Sequence, residues 1–178
     1  MNFELGKHYH LYNRSNNEEL VFRTDENYTY FLSKYRSYLQ TFVATIAYCL
    51  MPTHFHFVVK VTTSNERGLQ KSIGLLLSSY TKSINKRYNR HGGLFQPHTK
   101  AKEICDDCYL LTVVSYVHQN PICAKKAVTL GGWPYSSYRD IAGMRSCTLP
   151  DKDFYKNYFK SDEEFKKYSE EIVRGIKI

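Results

Sequence analysis

Two histidines one residue apart, His54 and His56, stand inside an apolar run, Leu50-Met51-Pro52-Thr53-His54-Phe55-His56-Phe57-Val58-Val59. Side chains alternate across a β-strand, so a strand here turns both imidazoles to one face and Phe55, Phe57 and Val59 to the other. Two imidazoles on one face, with room for a third ligand, make half of a metal site. The same pair also suits the wet face of a half-buried strand, because His-x-His is a weak motif until a further ligand is found.

A third ligand and a nucleophile stand together in Leu110-Leu111-Thr112-Val113-Val114-Ser115-Tyr116-Val117-His118-Gln119-Asn120-Pro121. Leu110, Val113, Val114 and Val117 recur at helical spacing and predict a face turned to the core. Tyr116 and Asn120 then lie one turn apart at the margin of that stripe, and Pro121 is expected to end the helix just beyond them. Singly, such a tyrosine packs a core and such an asparagine caps a helix. Together with His54 and His56 they describe a nucleophile beside a Lewis acid. The amide oxygen of Asn120 would complete a site for Mg²⁺ or Mn²⁺, with the Tyr116 phenol within a turn of it. A phenol has a pKa of about 10, so it attacks only an activated target, which a cation beside it supplies by polarising a phosphate.

His54-Phe55-His56 resembles the His-hydrophobe-His signature of the HUH nucleases. Tyr116-Val117-His118-Gln119-Asn120-Pro121 resembles the Tyr-x-x-x-Asn-Pro helix of the single-tyrosine transposases, the REP-associated tyrosine transposases above all. The resemblance runs from about His8 to Arg139. It takes in Tyr12-Asn13-Arg14-Ser15, the Cys49-to-His54 approach to the histidine strand, Tyr88-Asn89-Arg90, Gly93-Leu94-Phe95-Gln96 and Trp133-Pro134-Tyr135-Ser136-Ser137-Tyr138. After Gln96 the chain departs from that pattern, reading Pro97-His98-Thr99-Lys100 where an arginine is expected. The resemblance implies cleavage of single-stranded DNA with a 5′-phosphotyrosine and a free 3′-hydroxyl, the stored ester being used to rejoin another strand. It also implies recognition of a short hairpin with its flanking single strand.

The elements that must position these residues read as one α+β domain with a helical tail. Residues 8–14 suggest a strand, and Thr24-Asp25 the start of a helix that turns Tyr28, Phe31, Leu32, Tyr35 and Leu39 inward. Phe42 to Leu50 and His54 to Val61 predict a hairpin across Met51-Pro52-Thr53. A long helix from about Arg67 to Arg90, closed by Gly92-Gly93, and a short strand near Leu94 to Lys102 lead into the tyrosine helix. Strand, helix, hairpin, helix, strand is the order of a ferredoxin-like or RRM-like antiparallel sheet, the HUH nuclease fold by resemblance. The predicted boundaries are 1–149 for the catalytic domain and 150–178 for the tail, in which Phe154, Tyr158, Phe165 and Tyr168 are the residues fit to dock.

Charge shows where a polyanion would lie. The chain carries a formal net charge of +8, and Lys60 to Lys102 holds nine Lys or Arg against one acid, Glu66, so this stretch accounts for the whole excess. Within it Lys82, Lys86, Arg87 and Arg90 interleave with Tyr80 and Tyr88, as phosphate-pairing charges and base-stacking rings would, although a solvated helix face shows the same pattern. The five cysteines, Cys49, Cys105, Cys108, Cys123 and Cys147, form an odd set, and the first residues lack the apolar core of a signal peptide. Cys105 and Cys108 read as free thiols on the first turns of a helix, and the protein is expected to be cytoplasmic, with no membrane span. Three readings share these residues. In the first a transposase acts on single-stranded or hairpin DNA; in the second a domesticated, non-catalytic protein binds a DNA or RNA hairpin; in the third a phosphodiesterase uses water and Tyr116 is structural. Monomer and homodimer are both compatible with the sequence.

Overall fold

Strand β1 (His8–Arg14) is followed by α1 (Asp25–Leu39), the hairpin β2 (Val43–Met51) and β3 (His54–Val61), α2 (Glu66–Tyr88) and β4 (Lys100–Ile104). The computed structural model describes residues 2–146 and 149–172; Cys147 and residues 173–178 of the tail lie outside them. The strands make one antiparallel sheet in the order β2-β3-β1-β4, the ferredoxin-like arrangement expected from the element order.

Strand alternation gives this sheet two unlike faces. On one, Tyr9, Leu11, Phe55, Phe57 and Val59 meet Tyr28, Phe31, Tyr35 and Leu39 of α1 and Leu69, Ile73, Leu76, Tyr80 and Ile84 of α2. The rings of Tyr35 and Phe57 stack there with centroids 4.0 Å apart. Leu32, expected inward, is only partly buried. On the other face Cys49, Met51, Val58 and Ile104 meet Leu110, Val113, Val114 and Val117 of α3 (Asp107–Cys123).

Four boundaries differ from the sequence reading. The helix α2 stops at Tyr88 because Asn89 takes the left-handed conformation (φ 48°), so the turn comes before the Gly92-Gly93 pair. The last strand begins at Lys100 rather than near Leu94, since Pro97 has no N–H to give a ladder and His98 sits at φ 60°. Pro121 does not end α3. It stands one turn from the end, where the N–H of Ala124 still reaches the Asn120 carbonyl (2.9 Å) and that of Lys126 the Pro121 carbonyl (2.8 Å). Cys105 precedes the helix, whose N-cap is Asp106, so only Cys108 lies in the first turn; both thiols are free and exposed.

Residues 133–137 run along the outer edge of β2. Leu50 N–H donates to Tyr135 O (2.9 Å), Ser137 N–H to Tyr48 O (2.9 Å) and Trp133 Nε1 to Leu50 O (2.9 Å), so this motif covers an edge that would otherwise be open to pairing. Beyond it come α4 (Tyr138–Ile141), α5 (Lys152–Lys156) and α6 (Asp162–Ile172). Phe165 is buried in the α3-side core, whereas Phe154, Tyr158 and Tyr168 are half-buried. Tyr155 is the anchor the sequence reading overlooked: it is buried, and its hydroxyl donates to the Ile46 carbonyl (2.9 Å). Among the described residues no helix is long and apolar enough to cross a membrane.

Candidate active site

The register of β1 on β3 sets Tyr12 opposite His56 and Arg14 opposite His54, so β1 contributes to the same face as the two histidines. The His54 and His56 rings lie 5.1 Å apart, centre to centre. The Nδ1 atom of His56 is 2.9 Å from His10 Nε2, and that of His54 is 3.1 Å from Thr53 Oγ1. With Nδ1 engaged in each ring, Nε2 is the atom left for a ligand; for His56 this needs the tautomer in which Nδ1–H donates to His10.

Burial keeps all three imidazoles neutral. It pushes His56 well below the ordinary histidine range, helped by His10 and His54, and brings His10 down to about 4, helped by Lys102. His54 is lowered by burial and by Arg14, while the Asn120 side chain pulls the other way. A neutral imidazole is the form that ligates a metal.

Tyr116 and Asn120 stand half-buried on the margin of α3, where helical spacing puts them. The Tyr116 ring meets His56 edge-on with centroids 5.8 Å apart, and His10 at 6.1 Å. The Asn120 Nδ2 donates back to the Tyr116 carbonyl (3.0 Å), which fixes the amide and leaves its Oδ1 as the acceptor. Two imidazoles, one amide oxygen and a phenol therefore converge. Among the described residues no three His, Cys, Asp or Glu side chains group to hold a metal; the donors that could hold a divalent cation here are His54, His56 and Asn120.

Cavities flank this centre on both sides. One of about 240 Å³ is lined by His10, Tyr12, His56, Lys102, Tyr109 and Tyr116, with Lys102 Nζ donating to the Tyr109 hydroxyl (2.9 Å). The other, about 400 Å³, is lined by Arg14, Ser15, Glu18, Thr53 and His54.

The basic helix lies across the sheet from Tyr116. On α2, Lys82, Lys86 and Arg87 are exposed, and Lys82 lines a groove of about 550 Å³ that runs between α2 and residues 92–99. Three of the expected contacts are otherwise engaged. Arg90 forks onto Glu19 (Nε and Nη2 each 3.1 Å from a carboxylate oxygen). Tyr80 is fully buried with its hydroxyl on the Val21 carbonyl (2.9 Å), so its ring has no face for a base. Tyr88 is half-buried and bonds Asn27 (3.0 Å). Interleaving along the sequence does not set which helix face a ring takes: Tyr80 falls on the apolar stripe with Ile73, Leu76 and Ile84.

His10 is the site residue that sequence reasoning missed. Its signal was there to find, because His8, His10 and Tyr12 alternate on β1 as His54 and His56 do on β3. Lys102 and Tyr109 carried none beyond charge and aromaticity.

Residues 5–120 match the family described as transposase, IS200 like. The chain belongs to that family. The matched span runs from before β1 to Asn120, and so includes His54, His56 and Tyr116. A solved structure described as a REP-associated tyrosine transposase bound to a REP hairpin superposes with a TM-score of 0.64, covering 85% of this chain and 92% of that one at 13% identity. The two share the fold, a four-stranded antiparallel sheet flanked by helices. No curated protein gives a significant match.

Proposed function

We propose that this IS200-like transposase cleaves and rejoins single-stranded DNA beside a hairpin, with Tyr116 as the nucleophile. The convergence of the Tyr116 phenol on His54, His56 and Asn120 supports this reading more than any other observation. The phenol oxygen bonds to phosphorus as the bond to the 3′-oxygen breaks; the phenolic proton is given up and the departing 3′-oxygen takes one. The products are a 5′-phosphotyrosine and a free 3′-hydroxyl, and attack by another strand's 3′-hydroxyl reverses the step. A bound Mg²⁺ or Mn²⁺, held by His54, His56 and Asn120, would supply polarisation of the scissile phosphate.

The chain's own groups arrange the rest. His10 holds the His56 ring and its tautomer, Thr53 holds His54, and the Asn120 amide is tied to the backbone of the helix that carries the nucleophile. Arg14 and Lys102, one in each flanking cavity, are cations placed to hold the strand on either side. A hairpin partner is supported by the REP hairpin bound in the fold neighbour and by the surplus charge between Lys60 and Lys102. The groove at Lys82 is the surface we assign to the stem. Asn13 lines that groove and Arg14, next to it on β1, lines the cavity at His54 on the opposite face. We place the protein in the cytoplasm, where free thiols stay reduced.

The test is incubation of the protein with end-labelled hairpin DNA and Mn²⁺, run on a denaturing gel. A labelled band at the size of protein plus DNA is expected. Binding without cleavage would point instead to a hairpin-binding protein, and cleavage without the band to attack by water.

A further inference from the structure

The cavity of about 240 Å³ at Tyr116 is lined by His10, Tyr12, Lys102 and Tyr109 beside the nucleophile, with no carboxylate in its lining. The register of β4 on β1 sets Lys102 opposite His10, so the one cation of this lining reaches α3 from the sheet beside the histidines. Among the described residues Lys102 forms no ion pair, and its ammonium donates only to the neutral phenol of Tyr109 (2.9 Å). In the tautomer that frees His56 for a metal, His10 accepts at Nε2 and keeps its own proton on Nδ1, which has no partner among the described residues. Tyr109 precedes Tyr116 by two turns of α3, which sets both rings on one helix face roughly 10.5 Å apart along the axis.

A cation held only by a neutral phenol, in a cavity without an acid, fits a phosphate group. The phenol rings beside it fit a base by stacking, and the lining has no arginine, carboxylate or amide to grip a base edge in pairs. In-line displacement decides which nucleotide arrives. The leaving 3′-oxygen departs on the side of phosphorus opposite the Tyr116 oxygen, whereas the 5′-linked nucleotide stays bonded through phosphorus to Tyr116. Of the two cavities that flank the centre, this is the one that Tyr116 lines. We propose that it is the subsite of the retained nucleotide, with the base stacked on the Tyr109 ring and the next phosphate, on its 3′ side, held by Lys102. This rests on the reading of Tyr116 as the nucleophile, because a phosphotyrosine is what keeps that nucleotide in place after the cut.

The test separates the two claims. A member of a pool of hairpin DNAs with randomised flanks that forms a covalent adduct with the full chain and Mn²⁺ is isolated, and its cut is mapped. The nucleotide 3′ of the cut is then replaced by an abasic sugar, and affinity for both DNAs is measured by fluorescence anisotropy with EDTA present, so that neither is cleaved. The abasic DNA is expected to bind roughly 5- to 150-fold more weakly, the range for one stacked base. Tyr109→Leu should lose a similar factor on the intact DNA and bind the two DNAs alike. Lys102→Met should flatten the slope of log affinity against log salt by about 0.7, one single-stranded phosphate. An abasic penalty that is absent, or that stays whole in Tyr109→Leu, overturns the subsite and leaves the transposase reading standing, as does a slope unchanged in Lys102→Met. Absence of adduct from every member of the pool overturns both.

Discussion

The two faces of the sheet are built from the same strands and do different work. Along β3, Phe55, Phe57 and Val59 enter an aromatic core beneath α1 and α2, while His54 and His56 face α3 beside a phenol and an amide. The first face is packed with stacked rings as far as Asn13, which borders the Lys82 groove. The second gives up that continuity: it is apolar at Cys49, Met51, Val58 and Ile104, but it opens into one cavity at His56 and Tyr116 and another at His54 and Arg14. A two-residue period thus lets one strand carry stability and chemistry without conflict.

Substitutions on neighbouring residues should separate these roles most sharply. His56→Ala or His54→Ala is expected to abolish cleavage and cut Mn²⁺ binding, with hairpin binding retained. Asn120→Ala should weaken both less, since a neutral amide contributes less than an imidazole. Phe57→Ala should do the reverse, losing about 3–5 kcal/mol of stability in urea unfolding through the cavity it leaves. Cleavage surviving in both histidine variants would erase the distinction between the faces.

The ring behind the site comes next in size. His10→Ala frees the His56 tautomer and should weaken Mn²⁺ binding about 10- to 100-fold, the range for the loss of an outer-shell partner, in a fluorescence or calorimetric titration. An unchanged affinity would show that His10 only fills space.

Acid should also strike the α3 face. Burial lowers His10 to about 4 and His118, whose Nε2 bonds Ser137 (2.8 Å), to about 3. An unfolded histidine titrates at about 6.5, so between that value and the folded ones the unfolded chain binds more protons. Stability is therefore complete above about pH 6.5 and falls as the pH drops toward 4. Urea midpoints at pH 7 and pH 5 should differ, and His118→Gln should narrow the gap.

The smallest effect concerns the far side of the sheet. If Lys82 and Lys86 contact phosphates of the stem, replacing both with Ala should flatten the slope of log affinity against log salt by roughly 1.8, at about 0.9 per duplex phosphate. Arg90→Ala should leave the slope alone, because its guanidinium already holds Glu19. Equal changes in the two variants would mean that the whole helix end contacts the DNA.

The sequence made the sheet and its histidine face legible because alternation over β3 and helical spacing over α3 are both strong periodic signals. The end of α2 was missed because an asparagine, not the glycine pair, takes the left-handed turn. Likewise, one proline near the end of α3 costs a single hydrogen bond and does not stop the helix. The basic helix was readable as charge but not as geometry. Periodicity cannot say that Arg90 is claimed by Glu19 on a loop far away in sequence, nor which sheet face a helix covers. His10 shows in the alternation of β1, but its contact with His56 comes only from the register of β1 on β3.

The most direct test of the nucleophile is tandem mass spectrometry of the DNA-linked peptide after the hairpin reaction. A tryptic fragment from Glu103 to Lys125 carries both Tyr109 and Tyr116. The nucleotide mass is expected on Tyr116, with no linked peptide from Tyr116→Phe although that variant still binds the hairpin. A nucleotide on Tyr109, or an adduct that persists in Tyr116→Phe, would contradict the account.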